Sequence, residues 1–116
     1  MSVSAEGFSA QVLGLDDDPV VFPTGELDMA TAPELTGVLA PLIEHGPPVL
    51  VLDFSGLSFI DSSGIAALVD SQQRLGEQRR RLSIHGAQRG AVRVFEIAGL
   101  VDFLHVQTDP GGGSAP

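Results

Sequence analysis

Hydrophobic positions alternate loosely from Phe8 to Leu15, break at Asp16-Asp17-Asp18-Pro19, and resume at Val20-Val21-Phe22. A period of two marks a strand with one inward face, and carboxylates followed by proline mark a turn. The pattern predicts a hairpin whose second strand closes at Pro23-Thr24-Gly25. The period then lengthens. Leu35, Val38, Leu39, Leu42 and Ile43 recur at helical spacing behind Thr31-Ala32-Pro33-Glu34. That tetrad has the form of a capping box, with proline in the first turn where its missing N–H does no harm. His45-Gly46-Pro47-Pro48 stops the helix. Val49 to Phe54 is then nearly all apolar, as in a central parallel strand buried on both faces.

Beyond Phe54, Ile65, Leu68, Val69 and Leu75 share one helical face up to about Arg80, and Leu82-Ser83-Ile84 reads as a short strand. Ala87 to Ala98 carries Ala91, Val92, Phe95 and Ala98 on one side and ends at Gly99, a left-handed stop. Phe103-Leu104-His105-Val106 is the last strand expected. After the hairpin the order helix, strand, three times over, predicts an α/β fold with right-handed crossovers onto one sheet and helices packed against it. The chain is expected to form a single domain over residues 1–107. Asp109 to Pro116 offers nothing to bury, so 108–116 is expected to be a disordered tail.

Composition agrees with one modest core: 116 residues, 43% of them apolar, suit a single domain and fall short of two. No run approaches the ~18 apolar residues of a membrane span, and Met1 to Ala10 lack a basic start and apolar core. A soluble, cytoplasmic protein is the expectation. Cysteine is absent, which removes disulfides and thiolate metal sites.

Charge is uneven. The net charge is −9, lysine is absent, and all six arginines lie between Arg74 and Arg93. Neutralising a phosphate backbone or an anionic bilayer takes cations, so neither nucleic acid nor a membrane surface suits this chain, and a basic protein partner suits it better. Arg79-Arg80-Arg81 reads as the solvated end of a helix, where cations complement the dipole.

The candidate chemistry lies at Phe59-Ile60-Asp61-Ser62-Ser63-Gly64, where two hydroxyls meet a helix start. Free N–H groups and the positive dipole end favour an added anion there, while Asp61 opposes it, so Ser62 or Ser63 is a candidate charge switch. On the residues alone the plainer reading is a helix cap. Gly64 either relaxes the turn or lets a partner approach the backbone. Asp28 either caps the first helix in competition with Thr31 or touches a partner.

Gly25-Glu26-Leu27-Asp28, Val51-Leu52-Asp53-Phe54-Ser55, Phe59-Ile60-Asp61-Ser62-Ser63-Gly64 and Ala98-Gly99-Leu100, in that order, resemble the STAS domain of bacterial anti-sigma-factor antagonists over about residues 8–106. The resemblance implies a mixed sheet with helices on one side, and a function by binding rather than catalysis. It also implies a switch. The unphosphorylated antagonist captures an anti-sigma factor and frees the sigma factor. The anti-sigma factor, an ATP-dependent serine kinase, turns the antagonist off by phosphorylating it, and a phosphatase reverses this. Carried over by position, Ser62 is the phosphoacceptor, and Asp28, Asp61, Ser63 and Gly64 belong to the partner surface. Two positions depart from the pattern: Pro23 interrupts the second strand, and Ala66 stands where a second glycine is common.

Other functions fit less well. A triad of Ser62, His85 and Asp28 would make a serine hydrolase, but no Gly-x-Ser-x-Gly elbow surrounds the serine. His45, His85 and His105 lack ligand spacing, and Gly111-Gly112-Gly113 precedes no helix, so neither a metal nor another cofactor is expected. Within the same fold, stand-alone STAS domains also resemble the docking subunit of lipid-transporting ABC systems, and a domain without its own kinase would be a passive competitor.

Overall fold

A computed structural model of the chain describes residues 2–5, 7–14 and 18–107. Six strands form one mixed sheet: β1 (Ser2–Ala5), β2 (Phe8–Leu13), β3 (Val20–Leu27), β4 (Val49–Asp53), β5 (Leu57–Ile60) and β6 (Arg81–His85). Three helices, α1 (Ala32–His45), α2 (Ser62–Glu77) and α3 (Arg89–Ala98), follow β3, β5 and β6 in turn. The sheet order is β1-β2-β3-β4-β6, with β5 also paired to β3. β1, β2 and β3 are antiparallel neighbours, whereas β4, β5 and β6 run parallel to β3 or to each other. This is the expected mixed α/β architecture. The expected tail, and Leu15, Asp16 and Asp17 of the expected turn, lie outside the described residues.

β4 and β5 lie one after the other along β3. Val20 and Val21 pair with Val51 and Leu52, then Gly25, Glu26 and Leu27 pair with Leu57, Phe59 and Ile60 across a register shift. This arrangement explains why β3 runs through Pro23 rather than closing there. Gly25 donates its N–H to Gly56 on the parallel side, and Pro23, two residues back, faces the same way. Its missing N–H therefore falls in the gap after β4 stops pairing and before β5 begins. Pro23 keeps its place opposite Ala10 of β2.

The core is built from fully buried Leu27, Leu35, Leu39, Leu50, Leu52, Leu68, Leu75, Leu82 and Ile84, closed by Phe54 and Phe95, whose ring centroids are 6.3 Å apart. β4 is less enclosed than its apolar run suggests: Leu50 and Leu52 are buried, while Val49, Val51 and Asp53 are half-buried. α1 and α2 pack on each other, α1 against β1 and β2 and α2 against β6 and β5. The Gln72 side chain of α2 accepts the Leu82 N–H of β6 at 2.7 Å and so joins helix to strand.

Three further expectations are corrected. The Thr31 side chain makes no capping bond to α1, because its hydroxyl is engaged elsewhere. Residues 101–105 form turns, and only Val106 bridges β6, at Ile84. Bonds from Leu104 N to Leu100 O and from Val106 N to Val101 O keep this segment curled. Finally, Arg80 is no solvated helix end. It sits in the turn after α2 and donates to the carbonyls of Leu42 (2.6 Å), Ile43 and Pro47 (3.0 Å). It thus satisfies the orphan carbonyls at the end of a different helix, α1.

Candidate functional site

The parallel register brings the ends of β3 and β5 side by side. Leu27 pairs with Ile60, and the Asp61 N–H donates to the Leu27 carbonyl at 3.1 Å. Adjacent strands lie about 4.8 Å apart, so the chain leaving β3 at Asp28 and the chain leaving β5 at Asp61 start from neighbouring points. Ligand sites favour this edge, outside the carboxyl ends of parallel strands. Of the residues singled out from sequence, Asp28, Asp61, Ser62, Ser63 and Gly64 all cluster here.

Asp61 is the N-cap of α2. Its Oδ1 accepts the N–H of Ser63 at 2.9 Å and of Gly64 at 3.2 Å, with the backbone extended at φ −117°. The capping role thus falls to the carboxylate rather than to a serine hydroxyl. Ser62 occupies the first helical position and is exposed. No side-chain hydrogen bond occupies its Oγ among the described residues. Ser63 is half-buried.

Gly64 is buried for a reason the motif did not reveal. A Cβ there would come 2.8 Å from Leu27 Cγ and 2.9 Å from Ile60 Cγ1. The first turn of α2 lies directly on the ends of β3 and β5, and only glycine lets it approach so closely. The residue has no left-handed backbone, so turn relaxation is not its role. Ala66 is exposed on the next turn.

Asp28 is half-buried and bound to its own turn. Its Oδ1 accepts from the N–H of Ala30 at 3.0 Å and of Thr31 at 3.1 Å. Thr31, only 3% exposed, takes the Asp28 N–H on its hydroxyl at 2.9 Å and donates to the Glu26 carbonyl at 2.7 Å. The turn therefore holds itself rigid and lifts Met29 into solvent at 78% exposure. Phe59, half exposed, stands on the β5 side, in register with Glu26. Sequence reasoning passed over Met29 and Phe59, since an apolar residue carries no sign of which face it will present.

The imagined triad does not assemble. His85 lies on β6 in register with Asp53, and its Nε2 is hydrogen-bonded to Ser83 at 2.9 Å. Among the described residues no three His, Asp or Glu side chains group as a metal cage, and no helix is long and apolar enough to cross a membrane.

A mixed sheet with β5 feeding a capped α2, and helices carried on the sheet, defines a STAS-type domain. Residues 11–106 match the family described as Mlab, STAS domain, and the chain belongs to the STAS family. It is 37% identical over 82 residues to an anti-sigma-B factor antagonist of Staphylococcus aureus, covering 71% of this chain and 76% of that relative. A crystal structure of an anti-sigma factor antagonist from Mycobacterium paratuberculosis superposes with a TM-score of 0.77 at 28% identity, covering 90% of this chain and 89% of that one. The fold also matches the Bacillus cell fate determinant SpoIIAA in its phosphorylated form, with a TM-score of 0.65 at 21% identity over 89% of this chain and 95% of that one.

Proposed function

We propose that this protein is an anti-sigma-factor antagonist that acts by binding, and that phosphorylation of Ser62 switches the binding off. One observation carries the switch: the exposed Ser62 hydroxyl is free, while the carboxylate beside it has already taken the two amides that could cradle an anion. The names borne by the relatives support the antagonist role.

The partner is an anti-sigma factor with serine-kinase activity, received on Met29 and Phe59 with Asp28, Asp61, Ser62 and Ser63 around them. An exposed apolar pair within a polar surround has the composition of an interface centre. Phosphorylation adds about −1.5 to −2 charges. With the Ser63 and Gly64 amides occupied, the phosphate stays in the interface beside Asp61 instead of folding onto the helix end. At ~5 Å and an effective dielectric of ~20, each pair of unit charges repels by about 3 kcal/mol, an upper figure that water and salt reduce. A loss of only ~1.4 kcal/mol weakens binding tenfold. Charge and bulk at the surface therefore suffice, and the backbone need not rearrange. A phosphatase restores the binding form. Nothing in this mechanism requires a cofactor, catalysis by this chain, or contact with nucleic acid or membrane.

The test is a phosphosite map of the protein from its native cells in resting and stressed growth, together with capture of its partner. Ser62 phosphorylated in one condition, and a kinase-type anti-sigma factor bound in the other, is the expected result. An unmodified Ser62 and a transporter ATPase as the captured partner would instead establish the docking subunit of a lipid-transport system.

A further inference from the structure

Mild two-electron oxidants act on the sulfur of cysteine and methionine. This chain has no cysteine, tryptophan or tyrosine, and its two methionines are Met1, at the chain start, and Met29. Met29 is 78% exposed, whereas methionine more often fills a core. A reagent in solution therefore meets one thioether among the described residues, and no thiol competes for it.

The exposure is built into the backbone. Asp28 Oδ1 accepts the N–H groups of Ala30 at 3.0 Å and Thr31 at 3.1 Å, and the Asp28 carbonyl accepts those of Thr31 at 3.2 Å and Ala32 at 2.8 Å. Leu27 and Ala32, on either side, are buried and anchor both ends of the turn. The Met29 side chain is thus held outside the core, and reaching its sulfur requires no opening of the fold. Oxidation turns this flexible apolar side chain into a polar one. Burying a polar group without a hydrogen-bond partner opposes association. Asp28, its neighbour in the chain, and Asp61, at the adjoining strand end, are carboxylates, which when ionised only accept and so cannot satisfy a sulfoxide oxygen.

Resting on the antagonist reading above, in which Met29 stands in the partner surface, we infer that Met29 is a reversible oxidation site through which a hydroperoxide weakens partner binding, an off-switch separate from Ser62. The sulfur lone pair attacks the outer oxygen of the peroxide, and the S–O bond forms as the O–O bond breaks. The transferred oxygen passes its proton to the departing oxygen, so the products are methionine sulfoxide and water or an alcohol. Sulfur gives up two electrons and the peroxide takes them. Sulfoxide reductases, one for each epimer, return the thioether. A bound partner covers Met29, so the reagent acts on the free antagonist.

The experiment treats the full chain with hydrogen peroxide, locates sulfoxide by peptide mass mapping, and measures affinity for the purified anti-sigma factor identified by the capture experiment above. For each variant the Kd after oxidation is divided by the Kd before it. The parent chain should carry sulfoxide at Met29 and show a ratio of about ten, which the two reductases together return to about one. Met29→Leu keeps Met1 and should show a ratio of about one whatever its own affinity; if it binds too weakly to measure, the reductase rescue decides. Ser62→Ala should keep the tenfold ratio, since no phosphate is involved. A complex formed before peroxide is added should retain the thioether. An unconverted Met29, a parent ratio near one, the same loss in Met29→Leu, or equal conversion of the free and bound chain would each overturn the proposal. Failure to bind any anti-sigma factor would overturn the antagonist reading and this proposal with it, whereas binding that is indifferent to oxidation overturns this proposal alone.

Discussion

Two helix starts sit side by side at the carboxyl edge of the sheet, and each places a hydroxyl near a carboxylate. Before α1, Asp28 and Thr31 consume one another: the hydroxyl is buried and joins the Asp28 N–H to the Glu26 carbonyl. Before α2, Asp61 does all the capping and the Ser62 hydroxyl is left exposed. The same chemical ingredients thus build a rigid turn in one place and a modifiable site in the other. Burial and prior hydrogen bonding decide between them, so a hydroxyl is available for modification only where the fold does not already need it.

The contrast can be broken by substitution. Gly64→Val should be the most damaging, because its Cβ would press on Leu27 and Ile60 beneath the α2 start; overpacking of this kind costs about 2–3 kcal/mol, read as a lower urea midpoint. Thr31→Val should cost about 2 kcal/mol by the same measurement, since it leaves the Asp28 N–H and the Glu26 carbonyl without their partner. Asp61→Ala removes only a cap and should cost about 1 kcal/mol, with faster hydrogen exchange at the Ser63 and Gly64 amides. Ser62→Ala should change stability by less than about 0.5 kcal/mol while removing the phosphate acceptor. A destabilisation by Ser62→Ala as large as that by Thr31→Val would erase the distinction between the two starts.

Most of the elements were legible in the residues. The hairpin, α1 behind Pro33, the apolar β4, the amphipathic α2 and the Gly99 stop of α3, left-handed at φ +71°, all follow from local periods and turn chemistry. The misses share a cause. β5 is a four-residue strand with two exposed positions in its middle, and β1 is Ser-Val-Ser-Ala, so neither shows a pattern strong enough to read. Phe103 to Val106 looks like a strand by composition yet residues 103–105 lie in turns, because the N–H groups of Leu104, His105 and Val106 are taken by the carbonyls of Leu100, Asp102 and Val101.

By itself the sequence determined the alternation of helices and strands, the acidic balance with its late arginines, and the position of Asp61-Ser62-Ser63-Gly64 at a helix start. These depend on neighbours along the chain, which periodicity and capping preferences report directly. Tertiary structure alone decided that Asp61 rather than a serine caps α2, that Thr31 is locked, that Arg80 closes α1, and that Gly64 must be bare. Each of those outcomes depends on a group brought near by packing from elsewhere in the chain or held by a three-dimensional turn, and no local pattern records which donor will reach which acceptor.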